Sequence, residues 1–257
     1  MVNTGRNASV PVVVGLLAAL GLPPVAMAAD GSDDEATQAA IAAVSEMGKQ
    51  LRELKSFGIH ANVAYDDVVS DDVLVQRNEE VTISVRVPDG LRAEIKGADL
   101  HRSITYDGQM VTVYGETLGY YAQFEAPATI RETLQQAAER HDLQLPLADL
   151  FFWGTDQDNL ADVTAATMVG PANIGGRLCD QFVFAQEDVS WQIWITQGDM
   201  KLPCKLAIVD LSQPARPQYS AVIDMTPEAT FDASVFSFSP PDGAQKIRIY
   251  TAETADQ

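Results

Sequence analysis

The two cysteines are the side chains in this sequence that could form a covalent bond with one another. Neither Cys179 nor Cys204 has a histidine near it in sequence, and two cysteines alone are too few ligands for a zinc site. In an exported protein, oxidising surroundings permit a disulfide between them. A disulfide also requires the two Cα atoms to lie within about 7 Å of each other. Two possibilities therefore stay open, a Cys179–Cys204 disulfide and two buried free thiols.

The three histidines fall in three different predicted elements and form no cluster. His60 lies on the polar face of a strand, His101 beside Arg102, and His141 at the end of a helix. The sequence also lacks the G-x-S-x-G, H-E-x-x-H and glycine-rich phosphate-loop motifs. Because no nucleophile can be paired with a base, we expect no catalytic residue, no metal and no cofactor, and we interpret the protein as a non-enzyme.

One acidic stretch, Asp156 to Asn159, resembles part of a calcium loop. It lacks the glycine at the sixth position of such a loop, and Thr167 stands where the twelfth position needs glutamate. We therefore interpret it as a solvated loop. Asp66-Asp67 and Asp71-Asp72 flank the sequence Val-Val-Ser, and we interpret that segment as the polar end of a hairpin.

The chain is strongly acidic, with 36 Asp and Glu against 17 Lys and Arg and a formal net charge of −19. Such a charge repels nucleic acid and anionic membrane surfaces. Solubility is the simplest role for it. We expect no nucleic-acid partner and a monomeric protein.

The first 28 residues have the pattern of a signal peptide. Arg6 supplies a positive charge, Val10–Leu22 is apolar, and Ala26-Met27-Ala28 is an A-x-A cleavage pattern. The apolar run is shorter than the roughly 20 residues that span a bilayer. We expect export to the periplasm, cleavage after Ala28 and one domain over residues 29–257; an uncleaved N-terminal anchor is the alternative.

The next segment, Gly31 to Lys55, is predicted to be an amphipathic helix. Ser32 and Glu35 have the spacing of a capping box at its start. Apolar residues recur every three or four positions and form one stripe that must pack on another element. The stripe consists of Ile41, Val44, Met47, Leu51 and Leu54.

From Phe57 onward the apolar residues alternate with polar ones, which is typical of antiparallel strands with one buried face. Asp107-Gly108 is a hairpin signal, and Thr129 caps a second helix. The segment Leu143–Trp153 is the most apolar part of the mature chain and contains a short helix near Pro146. It either plugs a core or covers a cavity. The strands resume near Val163, and Trp194 falls on the face opposite Trp191, so both faces are expected to be covered there.

This arrangement resembles the LolA/LolB-like fold of periplasmic lipoprotein carriers. Phe236–Gly243 is similar to the closing strand of that family, and Val85–Leu91 followed by Ile104–Tyr114 is similar to its R-P-x-x-x…S-D-G-x-x-x-W-x-Y segment. More closely, the chain resembles the DUF2092 group of predicted periplasmic proteins, through Trp191–Ile195 followed by Leu202-Pro203.

The resemblance implies a mainly β (α+β) fold. It is a strongly curved antiparallel half-barrel, covered by the N-terminal helix and a mid-chain helical insertion, with an apolar concave face that holds acyl chains. The chain departs from the carriers at the proline turn. They have arginine directly before the proline, whereas this chain has Val87, with Arg86 one residue earlier. The carriers' handover mechanism is therefore not carried over.

Two functions are compatible with such a fold. The first is binding or carrying a lipid or another hydrophobic ligand in the half-barrel, with residues of the helical insertion as a lid. The second is a non-catalytic envelope scaffold that binds a protein partner and whose interior is filled by the same residues. The expected pocket residues are Ile83, Val85, Ile95, Tyr106 and Tyr120, and the expected lid residues are Leu150, Phe151 and Phe152.

The segment Arg216 to Ile249 is expected to form the closing edge of the sheet. It contains one alternating strand followed by an irregular connection with three phenylalanines. We expect Phe236 and Phe238 to pack under the helical cover, and Pro240-Pro241 to end strand pairing.

Overall fold

The alternating segments form one curved antiparallel sheet in the computed structural model, which describes residues 30–70 and 73–249. The predicted signal peptide lies outside the described residues. Within them the chain forms twelve strands and two α-helices, α1 (Asp30–Glu53) and α2 (Ile130–His141). Short 3-10 helices span Ala148–Phe151, Leu160–Asp162 and Ala233–Phe236. The strands are β1 (Ser56–Ser70), β2 (Val73–Arg86), β3 (Gly90–Lys96), β4 (His101–Tyr106), β5 (Met110–Gly115), β6 (Tyr120–Glu125), β7 (Ala165–Ile174), β8 (Arg177–Ala185), β9 (Val189–Thr196), β10 (Pro203–Asp210), β11 (Gln218–Pro227) and β12 (Gln245–Lys246).

The sheet consists of two meanders joined at its centre. Strands β1 to β6 follow one another in space as in sequence, and so do β7 to β11. The meanders meet where β11 pairs with β1, from Phe57 opposite Pro227 to Tyr65 opposite Tyr219. The end strands β12 and β7 do not pair with each other, so the sheet is open. The predicted curved, helix-covered antiparallel fold is confirmed.

One face of the sheet, here the inner face, is covered by α1 and α2. The predicted stripe of α1 packs on it, with Val44 and Met47 fully buried. Each such side chain contributes roughly 1.5–3 kcal/mol through burial. The predicted helix start was wrong, because the backbone is already helical at Asp30, two residues before the predicted cap at Ser32.

The second helix begins as predicted. Thr129 is its N-cap, and its hydroxyl oxygen accepts a hydrogen bond from the backbone N–H of Glu132 at 3.4 Å. The apolar segment after the helix contains the expected short helix, Ala148–Phe151. Leu150 and Trp153 within that segment are buried, and the Trp153 ring stacks on Trp191 with centroids 5.7 Å apart. The segment therefore plugs the interior of the half-barrel.

The β1–β2 hairpin is longer than expected. The Val-Val-Ser segment lies at the exposed far end of a hairpin, as interpreted from the sequence, but it is part of strand β1, which runs to Ser70 and pairs there with Val73. Its partners stop earlier, since β11 pairs with β1 only to Tyr65 and β3 pairs with β2 only from Glu80. The far half of the hairpin therefore pairs only with itself. Asp71 and Asp72 lie outside the described residues.

The segment expected to close the sheet contributes two strands. Its alternating strand β11 is central, between β1 and β10, whereas its short strand β12 forms one edge and β7 forms the other. The alternating strand was therefore wrongly expected at the edge, which this segment reaches only at β12. Alternation of apolar and polar residues marks a half-buried strand, but it does not say where in the sheet that strand lies.

The positions predicted for Phe236 and Phe238, near the C-terminus, were also wrong. Phe236 packs on Gly90 and under the guanidinium of Arg86, whose carbon lies 4.7 Å from the ring centroid. Phe238 packs on Tyr121, with centroids 5.2 Å apart. Arg86, Gly90 and Tyr121 are the residues that these rings contact. Each of them is directly next in sequence to a buried inner-face residue of its strand, so each lies on the outer face. The phenylalanines therefore cover the outer face and not, as expected, the face under the helices.

The predicted disulfide is confirmed. Cys179 in β8 and Cys204 in β10 are bonded across the end of β9, with their Cα atoms 6.7 Å apart. Trp194 packs beside the bond on the face opposite Ile193. The ammonium of Lys205 lies 5.0 Å from the centre of the Trp194 ring. Both faces of the sheet are thus covered at β9, as expected.

Candidate ligand-binding recess

An apolar recess opens where the end of α1, the β2–β3 turn, the start of α2 and the 3-10 helix Ala148–Phe151 converge. We call it the mouth recess. Its volume is about 200 Å³, below the roughly 300–1,000 Å³ of pockets for drug-sized ligands. It is therefore smaller than a pocket of that kind. Its lining residues are Leu51, Arg52, Phe57, Val87, Pro88, Thr129, Ile130, Arg131, Leu150 and Phe151.

Backbone hydrogen bonds fix the walls of the mouth recess. The carbonyl of Pro88 accepts from the N–H of Ile130 at 2.9 Å, which ties the turn to α2. The carbonyl of Lys55 accepts from the N–H of Val87 at 2.9 Å, which ties the same turn to the chain after α1. On the floor, the Phe57 and Phe151 rings lie 6.0 Å apart. Because backbone groups hold three of the elements together, the recess is largely pre-formed.

Both charged residues of the mouth recess are arginines. Arg52 donates through Nη1 to the carbonyl oxygen of Trp153. Among the ion pairs of the described residues, none involves Arg52 or Arg131. The recess therefore combines an apolar floor with two unpaired cations at its rim.

The residues predicted to bind a ligand are divided by the structure. Leu150 and Phe151 line the mouth recess together, and Phe152 lines a separate, more polar recess beside α2 with a volume of about 360 Å³. Tyr120 is 43 % exposed on β6 beside β12. The other predicted residues lie in the closely packed interior: Ile83, Val85, Ile95 and Tyr106.

Near Tyr106 the interior is almost completely filled. The space between its ring and α2 has a volume of only about 20 Å³. The Tyr106 hydroxyl donates to the carbonyl oxygen of Pro127 at 2.5 Å, and burial raises the pKa of this phenol. The interior under α2 therefore serves as a packed core, and accessible space is found at its rim.

Asp149 lines two recesses on the concave side, the recess beside α2, where Glu139 is also a lining residue, and a smaller one next to Trp191. The residue is exposed to solvent, and partial desolvation of its carboxyl raises its pKa. The pKa of Tyr219 is raised as well, by burial first and then by the negative charges of Asp149 and Glu79.

The histidines remain apart, each with a different neighbour. His101 Nδ1 lies 2.7 Å from Glu116 Oε2, and the His141 ring lies 4.0 Å from that of Phe124. Over residues 30–70 and 73–249, no three His, Cys, Asp or Glu side chains are arranged to hold a metal ion. In the acidic loop, Asp158 accepts from the backbone N–H of Gly154 at 2.8 Å and so stabilises the loop itself.

The sequence did not identify most of the mouth recess. Arg52 and Arg131 are single charges in helices. Pro88 was assigned to a turn, and Val87 was noted as the place where this chain departs from the carriers. One signal was available: Arg52 directly follows Leu51 of the apolar stripe, so it borders the packed face of α1. Its convergence with Arg131 depends on how α1 and α2 meet, which periodicity does not report.

Neither helix in the described part of the chain is both long and apolar enough to cross a bilayer. No curated protein sequence matches this chain. Several solved structures resemble it at a distance. An uncharacterized conserved protein from Thermus thermophilus is 12 % identical, with a TM-score of 0.45 over 82 % of this chain and 98 % of that one.

The lipoprotein LppX from Mycobacterium tuberculosis is 11 % identical, with a TM-score of 0.48 over 76 % of this chain and 98 % of that one. A LolA superfamily protein from Nitrosomonas europaea is 10 % identical, with a TM-score of 0.35 over 79 % and 98 %. These likenesses are too remote to carry functional information.

The family model described as "Predicted periplasmic protein (DUF2092)" matches residues 40–250. The chain therefore belongs to the DUF2092 family of predicted periplasmic proteins.

Proposed function

We propose that this protein binds a hydrophobic ligand with a single acyl chain, held in the mouth recess. The observation that carries the proposal is the recess itself, an apolar slot of about 200 Å³ that opens at the rim of an otherwise packed half-barrel. Leu150 and Phe151, which the sequence led us to expect in a lid, form part of its floor. Each methylene that enters contributes roughly 0.8 kcal/mol, so a short chain suffices for measurable binding.

A blocking substitution tests this function. The change Val87→Trp places a large ring in the mouth recess, whereas Val222→Trp adds the same ring elsewhere in the sheet. The two valines are equally accessible, with 37 % and 39 % exposed. Titration of each variant with a fluorescent fatty acid is expected to show binding to the wild type and to Val222→Trp only. Equal binding by both variants would exclude the mouth recess, and no binding by the wild type would contradict the function.

A non-catalytic scaffold is the second candidate, and the packed interior favours it. Ile83, Val85 and Ile95 have no exposed surface. Native mass spectrometry of protein purified from its own host separates the two functions. A bound acyl ligand supports the carrier or binding function. Clean protein that also ignores the fluorescent fatty acid, together with a co-purifying envelope protein, supports the scaffold.

We also infer that the mature protein resides in the periplasm as a monomer that begins at Ala29. The family description supports the compartment, and Ala26-Met27-Ala28 supports the cleavage position. Intact-mass measurement of protein recovered from the periplasm tests the cleavage. A mass that includes residues 1–28 would contradict it.

A further inference from the structure

We propose that the ligand of the mouth recess carries an anionic headgroup, either carboxylate or phosphate, bound by Arg52 and Arg131. This inference rests on the proposed function, because it names the class of hydrophobic ligand that the recess selects. The chain of the ligand lies on the apolar floor formed by Phe57, Leu150 and Phe151. Its headgroup lies at the rim, between the end of α1 and the start of α2.

The charge distribution supports an anionic headgroup. The protein has 36 acidic and 17 basic side chains, so an arginine on its surface has many carboxylates available as partners. Arg86 and Arg92, for example, pair with Asp89 and Glu94 at 3.2 and 3.0 Å. Both charged residues that line the mouth recess are nevertheless basic, and neither is in an ion pair of the described residues. Two cations at one apolar opening favour a ligand that supplies the negative charge.

The chemistry of the guanidinium fits this role. Arg52 uses one nitrogen to donate to the Trp153 carbonyl, which fixes its side chain against the segment that follows Phe151. A guanidinium has five N–H donors, so others remain for a ligand. Carboxylate and phosphate oxygens match this planar fork, and charge-assisted bonds of this kind are roughly twice as strong as neutral ones.

The first turn of α2 also contains an acidic residue, which must be considered. The Thr129 hydroxyl donates to the Glu132 carboxylate at 2.7 Å, so this carboxylate is engaged within the N-cap. Glu132 is not part of the lining of the mouth recess, whereas Thr129, Ile130 and Arg131 are. The charged side chains that line the mouth recess are therefore the two arginines alone.

Three probes with the same chain test the headgroup: dodecanoate, dodecyl phosphate and 1-dodecanol. Their affinities are measured at pH 7 by displacement of the uncharged dye Nile red. The wild type is compared with Arg131→Gln and with the control Arg140→Gln, which removes a charge from the same helix. Arg140 lies nine residues after Arg131, about two and a half turns, and so on the opposite face of α2.

We expect the wild type to bind dodecanoate and dodecyl phosphate about tenfold more tightly than 1-dodecanol. Arg131→Gln should lose most of this preference, through weaker binding of the two anions, and bind the anions with a weaker salt dependence. Arg140→Gln should behave as the wild type. A stronger effect on one anion identifies the headgroup as carboxylate or phosphate.

Equal binding of all three probes by the wild type, or an unchanged preference in Arg131→Gln, would overturn the headgroup inference and leave the proposed function intact. Displacement by none of the probes would overturn both. Because 1-dodecanol reports on the recess itself, a misfolded variant is recognised by its loss of 1-dodecanol binding. In that case Arg131→Lys, which keeps the charge without the fork, must show an intermediate preference for the inference to hold.

Discussion

Gly48 of α1 lies directly against the backbone of Trp153. A Cβ at Gly48 would come within 2.1 Å of the Trp153 carbonyl oxygen and 2.7 Å of its carbonyl carbon. The same oxygen accepts a hydrogen bond from Arg52, one turn further along the helix. The absence of a side chain at Gly48 thus lets α1 pack on the segment Leu143–Trp153. This packing brings Arg52 to the mouth recess.

Gly48→Ala is expected to destabilise the protein. Alanine favours a helix over glycine by about 1 kcal/mol, but a backbone carbonyl cannot move aside as a flexible side chain does. We expect a net loss of about 1–3 kcal/mol in the free energy of unfolding, measured by urea denaturation. The exposed neighbour Lys49 provides the control, since Lys49→Ala should change stability by less than about 0.5 kcal/mol. A Gly48→Ala variant as stable as the wild type would show that α1 does not approach Trp153 this closely.

Removing the disulfide is expected to lower stability by about 3.5 kcal/mol. The bond closes a separation of 25 residues, and a cross-link of this size restricts the unfolded chain by that amount. The double variant Cys179→Ala/Cys204→Ala should therefore unfold at lower urea concentration than the oxidised wild type. Alkylation without reductant provides the matching chemical test. Two modified thiols in periplasmic protein would contradict the bond.

Phe236→Ala is expected to cost about 3–5 kcal/mol, because this ring is fully buried on the outer face against Gly90. Leu118→Ala is the control, since Leu118 is 68 % exposed and its truncation leaves no cavity. Urea denaturation of both variants tests the prediction. Equal, small effects would mean that the C-terminal segment does not pack on the sheet.

Asp149→Asn is expected to raise stability at neutral pH. Desolvation raises the pKa of Asp149 in the folded protein above its ordinary value of 3.8. At pH values between 3.8 and this raised pKa, the folded state therefore binds more protons than the unfolded state. The stability of the wild type therefore falls as pH rises through this window. At higher pH the wild type remains less stable, because the partly desolvated carboxyl is ionised. The variant, which cannot ionise, should show a higher melting temperature than the wild type at pH 7 and little difference at pH 3. A difference that is the same at both pH values would exclude ionisation as its cause.

The sequence predicted those features that depend on local periodicity and on short-range chemistry. The Val44 and Met47 stripe, the Thr129 cap and the Asp107-Gly108 hairpin follow from neighbours in sequence. In that hairpin Asp107 accepts from the N–H of Met110 at 2.8 Å, and Gly108 has a φ of 94°. Such patterns are decided within a few residues, and the structure confirms them.

Features set by distant segments were predicted poorly. From the sequence alone, Phe236 could pack on either face of the sheet. It lies on the outer face because of the path that the chain takes after β11. The β1–β2 hairpin is long because β11 and β3 stop pairing at Tyr65 and Glu80, which β1 and β2 do not encode. The mouth recess arises in the same way, where segments 51–57, 87–88, 129–131 and 150–151 converge.

Photo-crosslinking tests the central claim most directly. The protein is mixed with a fatty acid that carries a diazirine on its chain, irradiated and digested, and the labelled peptides are identified by mass spectrometry. Binding in the mouth recess predicts adducts on peptides that contain Phe57, Leu150 or Phe151, with labelling lost in Val87→Trp and kept in Val222→Trp. Labelling confined to the far end of the β1–β2 hairpin, or labelling of the recess peptides that Val87→Trp leaves unchanged, would contradict it.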